Sequence, residues 1–168
     1  DTAELMLLDT GIHHTTRRPQ KVLKNDGSVV VQVAESVRVP QPEQAAQNRS
    51  FAQGTLLLTL RSFLSANAIR SRHAMDDVDW CPTNNSVPCA VQSISAPMLI
   101  AAMGGNNYLR FNETHFDLAK SQDKDYVIVD GANHDQTPCV PCETTPGQYA
   151  NTVKNFFDYV KAWIDKRY

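Results

Sequence analysis

The chain has 168 residues, a length that suits one domain. Apolar residues make up 42% and charged residues 20%, and 16 basic against 18 acidic side chains leave a formal charge of −2. That balance excludes a strongly basic nucleic-acid binder and any strong pull toward anionic membranes, and apolar runs such as Ala96–Met103 fall short of the about 20 residues a membrane span needs. In chain order, Ala3–Leu8 reads as a short buried strand closed by Asp9-Thr10-Gly11. Gln20–Lys24 and Ser28–Val33 flank Asn25-Asp26-Gly27, a hairpin signal. Pro40–Gln47 is a loop, and Thr55–Ile69 is a helix with Leu56, Leu60, Phe63 and Leu64 on one face. Asp76–Ser95 reads as irregular.

The last third is more regular. Pro97–Met103 is a fully apolar strand that ends at Gly104-Gly105. Asn112 caps a helix running to about Lys120. Tyr126–Val129 is a second apolar strand, ended by Asp130-Gly131. A closing helix runs from Gln148 to about Lys166, with Val153, Phe156, Phe157, Val160, Trp163 and Ile164 as its apolar stripe. Fully apolar strands alternating with helices imply a parallel sheet covered on both faces.

Four cysteines form two local pairs, Cys81 with Cys89 and Cys139 with Cys142, each in a loop rich in Pro and polar residues. Of the three possible pairings, this turn chemistry favours the local one. Disulfides point to an oxidising compartment, so the expected location is secreted or periplasmic. Asn48, Asn84 and Asn112 start sequons that permit glycosylation in a eukaryotic secretory host. Cys139-Val140-Pro141-Cys142 has the spacing of a thiol-disulfide oxidoreductase motif, but Glu143 to Gly147 separate it from the next helix, which favours a structural disulfide holding the loop. The spacing of Cys81 and Cys89 argues against a four-cysteine zinc site, and His13-His14 lack further ligands, so no metal and no cofactor is expected.

The stretch from Ser95 to Tyr168 resembles the C-terminal end of the α/β-hydrolase family. The matching features are the Pro-led strand ending in Gly104-Gly105, the helix, the strand Tyr126–Val129, the turn Gly131-Ala132-Asn133-His134 and the long final helix. The resemblance implies that His134 is the catalytic general base. A histidine suits that role because its ordinary pKa lies near neutrality, so it can take a serine proton and return it to the leaving group. Where many family members carry the acid, this chain has Asn106 and Asn107. Glu113 and Asp9 are the candidate acids, with Asp117 and Asp135 as weaker options. The family's Gly-X-Ser-X-Gly nucleophile motif does not occur, and Ser50 lacks both flanking glycines and a preceding strand.

The resulting expectation is an α/β chain forming the C-terminal part of a hydrolase-type parallel sheet, with helices on both faces and an inserted cap. Residues 1–10 would supply a sheet strand, 11–95 the cap with its β-hairpin, and 96–168 the core with the histidine loop. Phe51, Leu57, Leu58 and Phe63 of the cap would contact an apolar acyl or aryl group. The expected partners are the proteolytically separated N-terminal half, which carries the nucleophile, and a small ester or amide substrate. The alternative is a non-catalytic, disulfide-stabilised secreted binding or accessory domain of the same architecture.

Overall fold

The structure is a computed structural model that describes residues 14–39, 70–71, 78–79, 81, 87–106 and 108–168. The expected strand Ala3–Leu8 and helix Thr55–Ile69 lie outside the described residues. The main sheet contains β1 (Gln20–Leu23), β2 (Val29–Gln32), β5 (Met98–Met103) and β6 (Lys124–Val129), in the order β2-β1-β6-β5. Strands β3 (Arg70–Ser71) and β4 (Val78–Asp79) form a separate antiparallel pair. The helices are α1 (Val87–Ala90), α2 (Leu109–Leu118) and α3 (Thr152–Asp165).

Strands β1, β6 and β5 are parallel, and β2 is antiparallel to β1. The sheet is therefore mixed, with an α/β arrangement of helices around it. Alternation along β6 divides the core into two faces. Tyr126 and Ile128 pack with Val22, Ala102 and Leu109 of α2 on one face, where Phe116 joins them. Val127 and Val129 pack with Leu23 and with Phe156 and Tyr159 of α3 on the other. Burial on both faces is why β5 and the last four residues of β6 read as apolar runs. Each such side chain, fully buried, contributes about 1.5–3 kcal/mol.

The hairpin departs from its expected place. Its turn forms as the sequence predicts, with Gly27 at φ 85° and its N–H donating to the Lys24 carbonyl oxygen at 2.9 Å. Yet β1 pairs in parallel with β6, bringing Lys21 level with Val127 and Leu23 level with Val129. The hairpin expected in a cap is thus part of the core sheet. The physical reason is that adjacent residues Val22 and Leu23 are both buried, one on each face. Only the outer strand β2 shows the one-sided pattern of an edge, with Val31 69% exposed.

Two helix boundaries also shift. Helix α2 starts at Leu109, one turn before Asn112, because Leu109 docks fully buried against the sheet. Helix α3 starts at Thr152, after a run of turns in which the Glu143 carboxylate accepts the Gly147 and Tyr149 N–H groups. Half of its expected apolar stripe, Val153, Phe157 and Ile164, faces solvent among the described residues. The region 76–95, expected to be irregular, contains β4 and α1.

Candidate active site at the carboxyl edge of the sheet

Strand register builds this edge. Leu23, Val129 and Met103, the last residues of the three parallel strands, lie level with one another. The turns that follow them therefore meet, at the edge where open α/β sheets bind ligands. The Asp130 N–H donates to the Leu23 carbonyl oxygen at 3.0 Å, and Lys24 Nζ pairs with Asp130 Oδ2 at 2.8 Å. Gly104 donates to the Val129 carbonyl oxygen at 2.9 Å and Gly105 to that of Ala132 at 2.7 Å. A Cβ on Gly104 would come within 2.8 Å of the Val129 oxygen, and one on Gly105 within 2.8 Å of the Ala132 oxygen. The two glycines are needed for this close backbone approach.

The loop leaving β6 carries His134. Gly131 turns the chain at φ 63° beneath the Tyr149 ring. Ala132 and Pro138 form an antiparallel bridge, Asn133 donates to the Thr137 carbonyl oxygen at 2.6 Å, and Cys139 donates to that of Gly131 at 2.8 Å. At the tip, Asp135 and Gln136 take left-handed conformations with φ 63° and 61°. Such conformations cost non-glycine residues free energy and recur at functional sites. The His134 side chain is 71% exposed, and its Nδ1 lies 3.1 Å from Asp135 Oδ1. Its Nε2 has no protein partner among the described residues. Immediately after the loop, Cys139 and Cys142 form a disulfide, as do Cys81 and Cys89. Cys139 is buried against the Gly105 turn.

The other expected site residues are placed differently. Glu113 is fully buried in α2, where Oε2 accepts the Arg17 N–H and Oε1 accepts the Gln20 side-chain amide, both at 2.8 Å. Gln20 is one residue before the Lys21–Val127 pair, so Glu113 is anchored about 10 Å short of the carboxyl edge. The structure does not bring it to His134. Asp117 is paired with Arg18. Asp9, Phe51, Leu57, Leu58, Phe63 and Asn107 lie outside the described residues.

The role of Glu113 can be tested directly. Glu113→Gln places an NH2 group where two donors need acceptors, so it is expected to cost about 1–3 kcal/mol of stability. A lowered urea midpoint checks this. An unchanged midpoint with lost ester turnover would instead make Glu113 a catalytic carboxylate.

A cationic group that no local sequence pattern signals lies near the same edge. Val37 donates to the Gly104 carbonyl oxygen at 2.8 Å, and Ser36 donates to that of His14 at 2.8 Å. These bonds draw Arg38 and His14 toward the β5 turn, while Arg110 Nε donates to the Thr15 carbonyl oxygen at 3.1 Å. Burial, then Arg110 and Arg38, push the His14 pKa below its ordinary value. Burial alone does the same to His115, which packs edge-on against Phe111 at 4.2 Å. Among the described residues, no three His, Cys, Asp or Glu side chains are grouped to hold a metal ion. No described helix is long and apolar enough to cross a membrane.

No family model, curated protein or solved structure matches the chain.

Proposed function

We propose that this chain is the histidine-bearing C-terminal part of a secreted α/β-type serine hydrolase that cleaves esters or amides. The supporting observation is His134 itself. It projects from the loop that leaves β6 at the shared carboxyl edge of three parallel strands, with Nδ1 against a carboxylate and Nε2 open. In this reading the serine comes from the N-terminal half, carried on a separate polypeptide, because the chain has no Gly-X-Ser-X-Gly. Nε2 takes the hydroxyl proton as the serine oxygen bonds to the substrate carbonyl carbon. The proton then passes to the departing alcohol or amine as the acyl-enzyme forms. Water repeats the sequence and releases the acid. Asp135 is the carboxylate in contact with the imidazole, and Asp9 at the end of Ala3–Leu8 is the other candidate to orient it. The two disulfides support a secreted or periplasmic site of action.

The alternative, a non-catalytic binding or accessory domain, is favoured by two observations. Glu113 is committed to Arg17 and Gln20, and Asn106 stands in the acid's usual place. Fluorophosphonate labelling of native, unreduced material, read by intact mass, separates the two. A label on a co-purifying chain is the expected result. A single 168-residue species that takes no label would overturn the hydrolase reading.

A further inference from the structure

A second site lies at the opposite edge of the sheet. There the start of β6 and the last turns of α3 enclose a cleft of about 300 Å³. The cleft begins at Lys124, whereas His134 follows the other end of the strand, so the two sites are about 20 Å apart. Lys21, Lys124, Lys166 and Arg167 line it, together with Trp163 and a single carboxylate, Asp125.

The charges do not cancel. Asp125 is occupied: Lys21 Nζ and the Tyr159 hydroxyl each donate to it at 2.6 Å. The Arg167 guanidinium donates to Asp123 at 2.7 Å and to the Trp163 carbonyl oxygen at 2.7 Å, and lies 3.7 Å from the centre of the indole ring. Lys124 donates to the carbonyl oxygens of Phe116 and Ala119, each at 2.7 Å, groups without net charge. Lys166 has no protein partner among the described residues. Four cations against Asp125 and Asp123 leave two positive charges uncompensated.

The wall of the cleft also holds a donor without an acceptor. The indole Nε1 of Trp163 is buried and has no hydrogen-bond partner among the described residues. An indole N–H can only donate, and a buried donor left unpaired is costly. Being closed to solvent, this donor is a weak point in the packing of the cleft wall rather than a contact for a ligand.

We propose that this cleft binds a doubly charged oxyanion of the phosphate class, seated against Lys166 and Lys21. The volume admits a phosphate with a small substituent. Arg167, already held flat on the indole by Asp123, is pre-positioned rather than ordered on binding. The site is independent of any role for His134.

Isothermal titration calorimetry at low ionic strength tests it, with inorganic phosphate as the probe and sodium chloride at matched ionic strength as the control. Saturable phosphate binding is the expected result. Lys166→Gln should weaken it about tenfold and Lys166→Glu abolish it, since one charge-assisted contact is worth about one decade. Lys166 is exposed, so neither change threatens the fold. Phenyl phosphate identifies the source: tighter binding than phosphate indicates a phosphate ester, and equal binding indicates the free ion. Heats that match chloride, or phosphate binding that Lys166→Glu leaves unchanged, would overturn the proposal.

Discussion

His134→Ala is expected to lower kcat/KM for an activated aryl ester by about a thousandfold in the nucleophile-bearing assembly. The urea midpoint of the chain should stay where it is. The two outcomes follow from one geometry. The imidazole is paired with Asp135 and is largely exposed, so removing it takes little from the core. Its exposed pairing with Asp135 adds little to stability, because water screens both partners. Any large effect must therefore lie in proton transfer. Steady-state rates measured beside a urea titration check both halves. A variant that keeps full turnover would remove the histidine from the reaction.

Gly131→Ala is expected to cost about 2–4 kcal/mol of folding stability. A Cβ at this position would lie 2.0 Å from Cδ1 of Tyr149, and the residue holds φ at 63°. The positive φ accounts for about 1 kcal/mol, and overpacking against the buried ring for about 1–3 kcal/mol. Tyr149 has little room to retreat, because its own N–H is held by Glu143 at 3.1 Å. The urea midpoint should fall while the slope of the transition is unchanged. A double-mutant cycle with Tyr149→Ala should return a favourable coupling of at least about 1 kcal/mol, the share that belongs to the clash. If Gly131→Ala leaves the midpoint unmoved, Tyr149 does not cover the turn. The same substitution also tests the histidine loop, since Gly131 accepts the Cys139 N–H that closes it.

Much of the C-terminal architecture was legible because its determinants are local. Strands β5 and β6 declare themselves as short apolar runs, and Asn25-Asp26-Gly27 declares a hairpin. The local cysteine pairing follows from loops of a few residues, and both disulfides are present. Two other features depend on distant residues. The hairpin's place in the sheet depends on pairing between Leu23 and Val129, which no local pattern records. The commitment of Glu113 depends on donors 96 and 93 residues away, at Arg17 and Gln20. A glutamate in the first half of a helix reads the same whether it orients an imidazole or ties down a distant strand. The uncompensated charge near Trp163 is equally hidden, since it arises only when the start of β6 and the last turns of α3 are placed and their partners counted.

The position of β1 also governs when the sheet can assemble. Lys24 and Asp130, which close its edge, are 106 residues apart in the chain. As the chain is synthesised, β1 and β2 emerge before β6 and by themselves form only a two-stranded ribbon, which is marginal in water. Their neighbour β6 is made much later, and α3, whose Asn155 side chain donates to the Lys24 and Asn25 carbonyl oxygens, later still. Non-local pairing of this kind slows folding, because loop closure precedes the contacts that reward it. The four-stranded sheet therefore stays incomplete until β6 has been made, which is compatible with secretion ahead of disulfide formation.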